Sequence, residues 1–177
     1  ARFFMFVLMG CEKKGKDQVE VADVVRSPVT CAPVVNDRAW YNADNKAPLF
    51  EGMGDLNFTI STEDKLVQRY FNQGLVLAYG FNHAEAARSF YYASKLDPEC
   101  PMTLWGYAYV LGPNYNAGME TDNYERAYDA IQKAIELSES KGTEKERDMI
   151  LALSKRYVKN PVEDRTNLDV AYSEEMK

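Results

Sequence analysis

The chain has 177 residues and a formal net charge of −6, from 27 acidic and 21 basic side chains. A surplus of acid suits a nucleic-acid backbone poorly, so nucleic acid is set aside as a partner. Apolar residues at 46% and aromatics at 12% are enough for the core of one domain, while cysteines at 11, 31 and 100 form neither a metal pattern nor a disulfide framework by spacing.

Residues 1–10 read ARFFMFVLMG: one arginine, then an apolar run too short to span a bilayer. The run has the character of the end of a secretory signal whose first residues are missing. Leu8, Met9, Gly10 and Cys11 resemble the bacterial lipobox. That resemblance implies cleavage before Cys11, a lipid on its thiol, and a place at the bacterial cell envelope, on the periplasmic or outer-membrane side. Several acyl chains on one residue hold firmly, since each buried CH₂ contributes about 0.8 kcal/mol. A plain signal peptide, or a buried first strand, is the other reading of the same run. Residues 12–17 (EKKGKD) are expected to be a flexible tether. Residues 18–60 hold three prolines, scattered valines and the isolated aromatics Trp40, Tyr41, Phe50 and Phe58, with no sustained helical period. They are expected to form an irregular arm lying on a helical body. Gly52-Met53-Gly54 is read as a turn, because no third glycine and no strand–helix frame support a phosphate loop.

From residue 61 the pattern becomes helical. Ser61 or Thr62 is expected to cap a helix that carries Glu63 and Asp64 in its first turn and reaches Gly80. Asn82 caps a second, reaching Leu96, and Asp97-Pro98 closes it. Tyr70, Gly74 and Leu77 share one face; Ala86, Phe90 and Ala93 share another. Small residues at Gly74 and Ala86 let two helices approach closely, and Phe90 fills the space one turn on. Gly74, Ala86, Phe90, Ala93 and Pro98 stand at spacings of 12, 4, 3 and 5, with Tyr70 ahead of them. Small, small, large, small, proline in this order resembles the tetratricopeptide repeat, a helix–turn–helix unit of about 34 residues.

The resemblance implies an all-α fold, a right-handed α-solenoid of units at about 61–98, 101–139 and 143–177. In the second unit Leu104 and Ala108 lie on a helix ended by Gly112-Pro113. After the loop NYNAGMETDN, a helix over 124–137 repeats the small–large–small triplet as Ala127, Ile131 and Ala134. In the third, Thr143 and Glu146 form a capping box before Ile150, Ala152, Leu153 and Tyr157. Asn160-Pro161 is expected to break that helix, and a last one over 167–176 carries Ala171. Ala108 to Ala127 and Ala152 to Ala171 are each 19 residues, seven more than the 12 between Gly74 and Ala86. The extra residues are expected as loops between paired helices. A solenoid end needs a polar cap, and none follows Lys177, so the chain is read as a fragment of a longer protein.

Catalytic material is sparse. His83 is the one histidine, expected to hydrogen-bond its own turn. Glu85, two residues on, faces elsewhere on the helix. No catalytic residue, metal site or cofactor is therefore assigned. Cys31 and Cys100 could pair in an oxidising envelope, or stay separate and buried. The resemblance implies a concave groove lined by Phe71, Leu75 and Ala78 in the first unit and by Trp105, Tyr109 and Gly112 in the second. Phe71, Leu75, Trp105 and Tyr109 are the expected contact set. The family's carboxylate clamp of Lys, Asn and Arg does not stand at these places. Such a groove would take a protein or peptide with an apolar segment, or be filled by residues 18–60. The expected function is a non-catalytic protein–protein interaction scaffold anchored at the bacterial envelope. The rivals are the N-terminal part of a metal- or cofactor-dependent enzyme whose site lies downstream, and a structural support for a downstream domain.

Overall fold

The computed structural model describes residues 38–43 and 45–177. The signal, the lipobox with Cys11, the tether, much of the arm and Cys31 lie outside the described residues. Those residues form seven α-helices and no strand: α1 Arg38–Asn42, α2 Lys65–Tyr79, α3 His83–Leu96, α4 Pro101–Leu111, α5 Asn123–Lys141, α6 Glu144–Ser154 and α7 Thr166–Glu175.

Helix ends follow local chemistry with two corrections. Asn82 caps α3 by accepting from the Glu85 N–H at 3.4 Å. The Thr143–Glu146 box opens α6, the Glu146 N–H donating to Thr143 Oγ1 at 3.2 Å and the Thr143 N–H to Glu146 Oε2 at 2.8 Å. The cap of α2, however, is Asp64, whose carboxylate accepts from the Leu66 N–H at 2.7 Å. Ser61 and Thr62 are engaged elsewhere: Ser61 Oγ donates to Glu146, and Thr62 Oγ1 to Asp97 at 2.7 Å. The second correction is the end of α6, which stops at Ser154, ahead of Asn160-Pro161. There the N–H groups of Lys155, Arg156 and Tyr157 donate three residues back, a tightened turn. It leads into Tyr157, whose buried hydroxyl donates to the Ala108 carbonyl at 2.6 Å. Gly112 ends α4 where that hydroxyl passes; a Cβ there would collide with it.

Each helix from α2 to α6 packs on the next; α2 also meets α4, and α4 meets α6. Helices α2, α4 and α6 thus make one layer, with α3 and α5 behind it. Phe90 of α3 lies at the centre with no exposed surface. A Cβ on Gly74 would stand 2.6 Å from its ring, and one on Gly106 closer still, so Phe90 is wedged between α2 and α4 where both lack a side chain. Tyr70, Ala86, Ala93, Ala108, Ala127, Ile131 and Ala134 are buried in the same core, while Pro98 is exposed. The last pair differs: α7 has no buried residue, and Ala171 is only half-buried.

Candidate interaction surface

The non-helical stretch 45–61 lies along α2 and is held mainly by that helix's polar side chains. Tyr70 donates its hydroxyl to the Ala47 carbonyl at 2.7 Å. Gln73, buried, accepts from the Phe50 N–H at 2.8 Å and donates to the Pro48 carbonyl at 2.9 Å and to Ser89 Oγ at 3.0 Å. Gly52 and Gly54 then take left-handed φ of +74° and +79° in open space, so backbone conformation calls for glycine there. Beyond them the chain returns to α2. The Phe58 N–H donates to Asn72 Oδ1 at 3.2 Å and the Ile60 N–H to Gln68 Oε1 at 3.0 Å, while Gln68 Nε2 donates to the Phe58 carbonyl at 2.7 Å. Alternate N–H groups thus point the same way, as in an extended strand. The next N–H, of Ser61, donates to Glu146 Oε1 on α6 at 2.7 Å. Burial works to raise the Glu146 pKa, but hydrogen bonds from Ser61 and Thr143 outweigh it and hold the carboxyl below its ordinary value.

Of the four residues expected to line a groove, Phe71 meets this segment. The Phe58 ring lies 5.9 Å from that of Phe71, under Lys145 Nζ at 4.8 Å. Phe71 approaches Trp105 at 6.4 Å, and Trp105 stacks on Tyr109 at 5.3 Å with the planes 2° apart. Trp105 Nε1 donates to the Met149 carbonyl of α6 at 3.1 Å, which fixes the indole. Phe71 has no exposed surface, Leu75 has 5% and Trp105 9%; Tyr109 is half-buried. The first three are a floor, and Tyr109 is the member that offers surface. Exposed rings that sequence reading passed over stand at the helix turns: Tyr79, Phe81 and Tyr115. Tyr79 is near enough to Tyr109 to act on its phenol, whose pKa is raised mainly by burial. Nothing periodic marked these residues, because they sit where helices end.

Trp40 and Tyr41 do not enter this region. Helix α1 presents them to Tyr91 and Tyr107, with Tyr41–Tyr91 centroids 4.9 Å apart and Tyr41–Tyr107 5.7 Å. Tyr107 is two residues, about 200°, around α4 from Trp105, so α1 occupies the other side of that helix. Arg126 lies 4.4 Å over the Tyr41 ring and donates from Nε to the Tyr107 hydroxyl at 3.0 Å; Arg38 pairs with Asp122. Burial pushes the Tyr107 phenol up to about 12, against the pull of Arg126. A cavity of about 440 Å³ opens beside these groups. Of residues 18–60, then, Trp40 and Tyr41 pack away from the expected groove. Phe50 is exposed, and Phe58 reaches Phe71 instead.

His83 begins α3, but its ring does not bond the turn as expected. It is buried, and neither nitrogen has a hydrogen-bond partner among the described residues. Burial lowers its pKa. Among the described residues no group of three or more His, Cys, Asp or Glu side chains could hold a metal ion. Cys100 is buried and free, its thiol pushed up to about 11 by burial, which leaves it a poor nucleophile at neutral pH. No family model, curated protein or solved structure matches the chain.

Proposed function

We propose that the chain is a non-catalytic scaffold of tetratricopeptide type that binds an extended, apolar polypeptide segment on its α2–α4–α6 layer. One observation carries this reading: the layer already holds a stretch of extended main chain through Gln68, Asn72 and Glu146, with an aromatic ring seated on Phe71. The repeat assignment is supported by burial of the same triplet in two helix pairs, Ala86–Phe90–Ala93 and Ala127–Ile131–Ala134, every member without exposed surface. Tyr109, stacked on a fixed Trp105, supplies a rigid aromatic anchor of the kind that dominates binding energy, and Tyr79 offers a second, exposed ring. Attachment to a bacterial envelope membrane through a lipid on Cys11 completes the proposal, and no helix among the described residues is long and apolar enough to cross a membrane. Cys11→Ser is expected to move the protein from the membrane to the soluble fraction.

Peptide display against the full chain tests the binding role. Selection is run in parallel on Tyr79→Ser/Tyr109→Ser, which removes the exposed Tyr79 ring and the half-buried Tyr109 ring and spares the floor. Sequences enriched on the native chain and lost on the double variant support the proposal. Equal enrichment on both, or none on either, rejects it.

A further inference from the structure

Residues 58–61 are attached in an unusual way for a stretch so close to a core. Apart from one local turn, in which the Thr62 N–H donates to the Ile60 carbonyl at 2.8 Å, their main chain bonds to side chains. Gln68 alone satisfies the Ile60 N–H and the Phe58 carbonyl, the pair of contacts that a neighbouring strand would make. A third bond fixes that amide, Gln68 Nε2 donating to Asn72 Oδ1 at 3.0 Å. Glu146 is fixed in turn by the capping box of α6, so its carboxylate would remain in place without Ser61. The receptor groups are thus ordered by their own helices. Beyond these bonds Ile60 alone is enclosed: Phe58 is half-buried, and Asp55, Leu56, Asn57 and Thr59 around it are exposed.

We propose that Gln68, Phe71, Asn72 and Glu146 form a strand-binding site, and that Phe58–Thr59–Ile60–Ser61 is its built-in occupant. The site takes an extended peptide of the pattern aromatic–any–aliphatic–serine from another polypeptide when its own strand is displaced. This rests on the reading of the layer as a peptide-binding surface and gives it a recognition rule. Main-chain bonds to Gln68 and Asn72 supply affinity whatever the sequence. The Phe71 ring under Phe58, the enclosure of Ile60 and the Ser61 hydroxyl on Glu146 supply selectivity. A tethered occupant competes at an effective concentration in the millimolar range, so the site is masked until a better strand arrives.

The test uses the full chain and a labelled synthetic peptide, LNFTIST, copied from residues 56–62. Phe58→Ala/Ile60→Ala loosens the tethered strand and leaves the receptor groups untouched. Fluorescence anisotropy should show that variant binding the peptide about tenfold or more tightly than the native chain does. Adding Gln68→Ala should abolish the gain, and LNATIST should bind neither protein. Hydrogen exchange on the native chain gives a measure that needs no variant: the amides of Phe58, Ile60 and Ser61 should exchange much faster than that of Phe90. Three outcomes overturn the proposal: a helical variant with no gain in peptide affinity, a variant that loses its helices, or strand amides as slow as the core. A chain that binds LNFTIST yet shows no selection at Tyr109 keeps this site and rejects the wider scaffold reading. Selection at Tyr109 without peptide binding rejects this site alone.

Discussion

Phe90 touches both α2 and α4 because Gly74 and Gly106 carry no side chain. Alanine in place of a helical glycine ordinarily gains up to about 1 kcal/mol. Here the added methyl would run into a ring that cannot move, and overpacking costs about 1–3 kcal/mol. The clash wins, so Gly106→Ala should destabilise the native chain. With Phe90→Leu the ring is gone, and the same substitution should stabilise. A double-mutant cycle in urea measures this reversal; additive effects would mean the wedge is not as described. Titrating residues give a second residue-scale prediction. The folded pKa of His83 is lowered by burial from an ordinary 6.5, and that of Glu146 lies below an ordinary 4.5, where hydrogen bonds outweigh burial. In both cases the unfolded chain binds the proton first on acidification, so stability rises with pH across each window. It should therefore fall as pH drops below about 6.5 and fall again below about 4.5. His83→Gln should flatten the first decline and leave the second. A urea series across pH 4–7 showing no change with His83→Gln would place the first titration elsewhere.

At the level of elements, what the sequence disclosed was whatever its neighbours in the chain decide. Asn82, the Thr143–Glu146 box and the Gly112-Pro113 stop each act within a few residues, and each is where local chemistry places it. The start of α2 was not readable, because the hydroxyls that would cap it bond to Asp97 and Glu146, 35 and 85 residues away. Gly106 was missed for the same reason: its meaning depends on Phe90 arriving from another helix. The triplets that mark α3 and α5 were legible because burial of one face imposes a period on the residues that line it. Helix α7 carries the opposite lesson. Ala171 sits at the expected spacing, yet nothing on α7 is buried; it packs on α6, and Arg156, in the turn after α6, pairs with the exposed Asp169 and lies over the ring of the partly buried Tyr172. An ion pair with an exposed partner contributes little. Removing residues 166–177 should leave the thermal midpoint of the remainder within about 2 °C. A much larger drop would show that α7 closes the core after all.

Across the whole molecule, the residues that precede α2 grip the helical body on unlike terms, and α1 and residues 58–61 make the sharpest contrast. At α1 the grip is apolar: Tyr41 is buried against Tyr91 and Tyr107 with Arg126 over its face. Burying one such side chain contributes about 1.5–3 kcal/mol, and each well-placed aromatic pair adds roughly 0.5–1.5. At residues 58–61 Ile60 is enclosed but the rest of the grip is polar, and a hydrogen bond that replaces one to water nets about 0.5–1.5 kcal/mol. Phe58, half-buried, adds only part of a full burial. The two anchors should therefore separate in a stability measurement. Tyr41→Ala should cost about 3–5 kcal/mol, the range for a large buried ring, and Phe58→Ala about 1–2 kcal/mol by partial burial. Sequence reading treated these residues as one arm with a single fate, because aromatic content alone does not say which face of α4 a ring will meet. If urea unfolding put the larger loss at Phe58, strand 58–61 would be the permanent anchor and α1 the one free to leave, and the site that opens would be the aromatic cavity beside Tyr107.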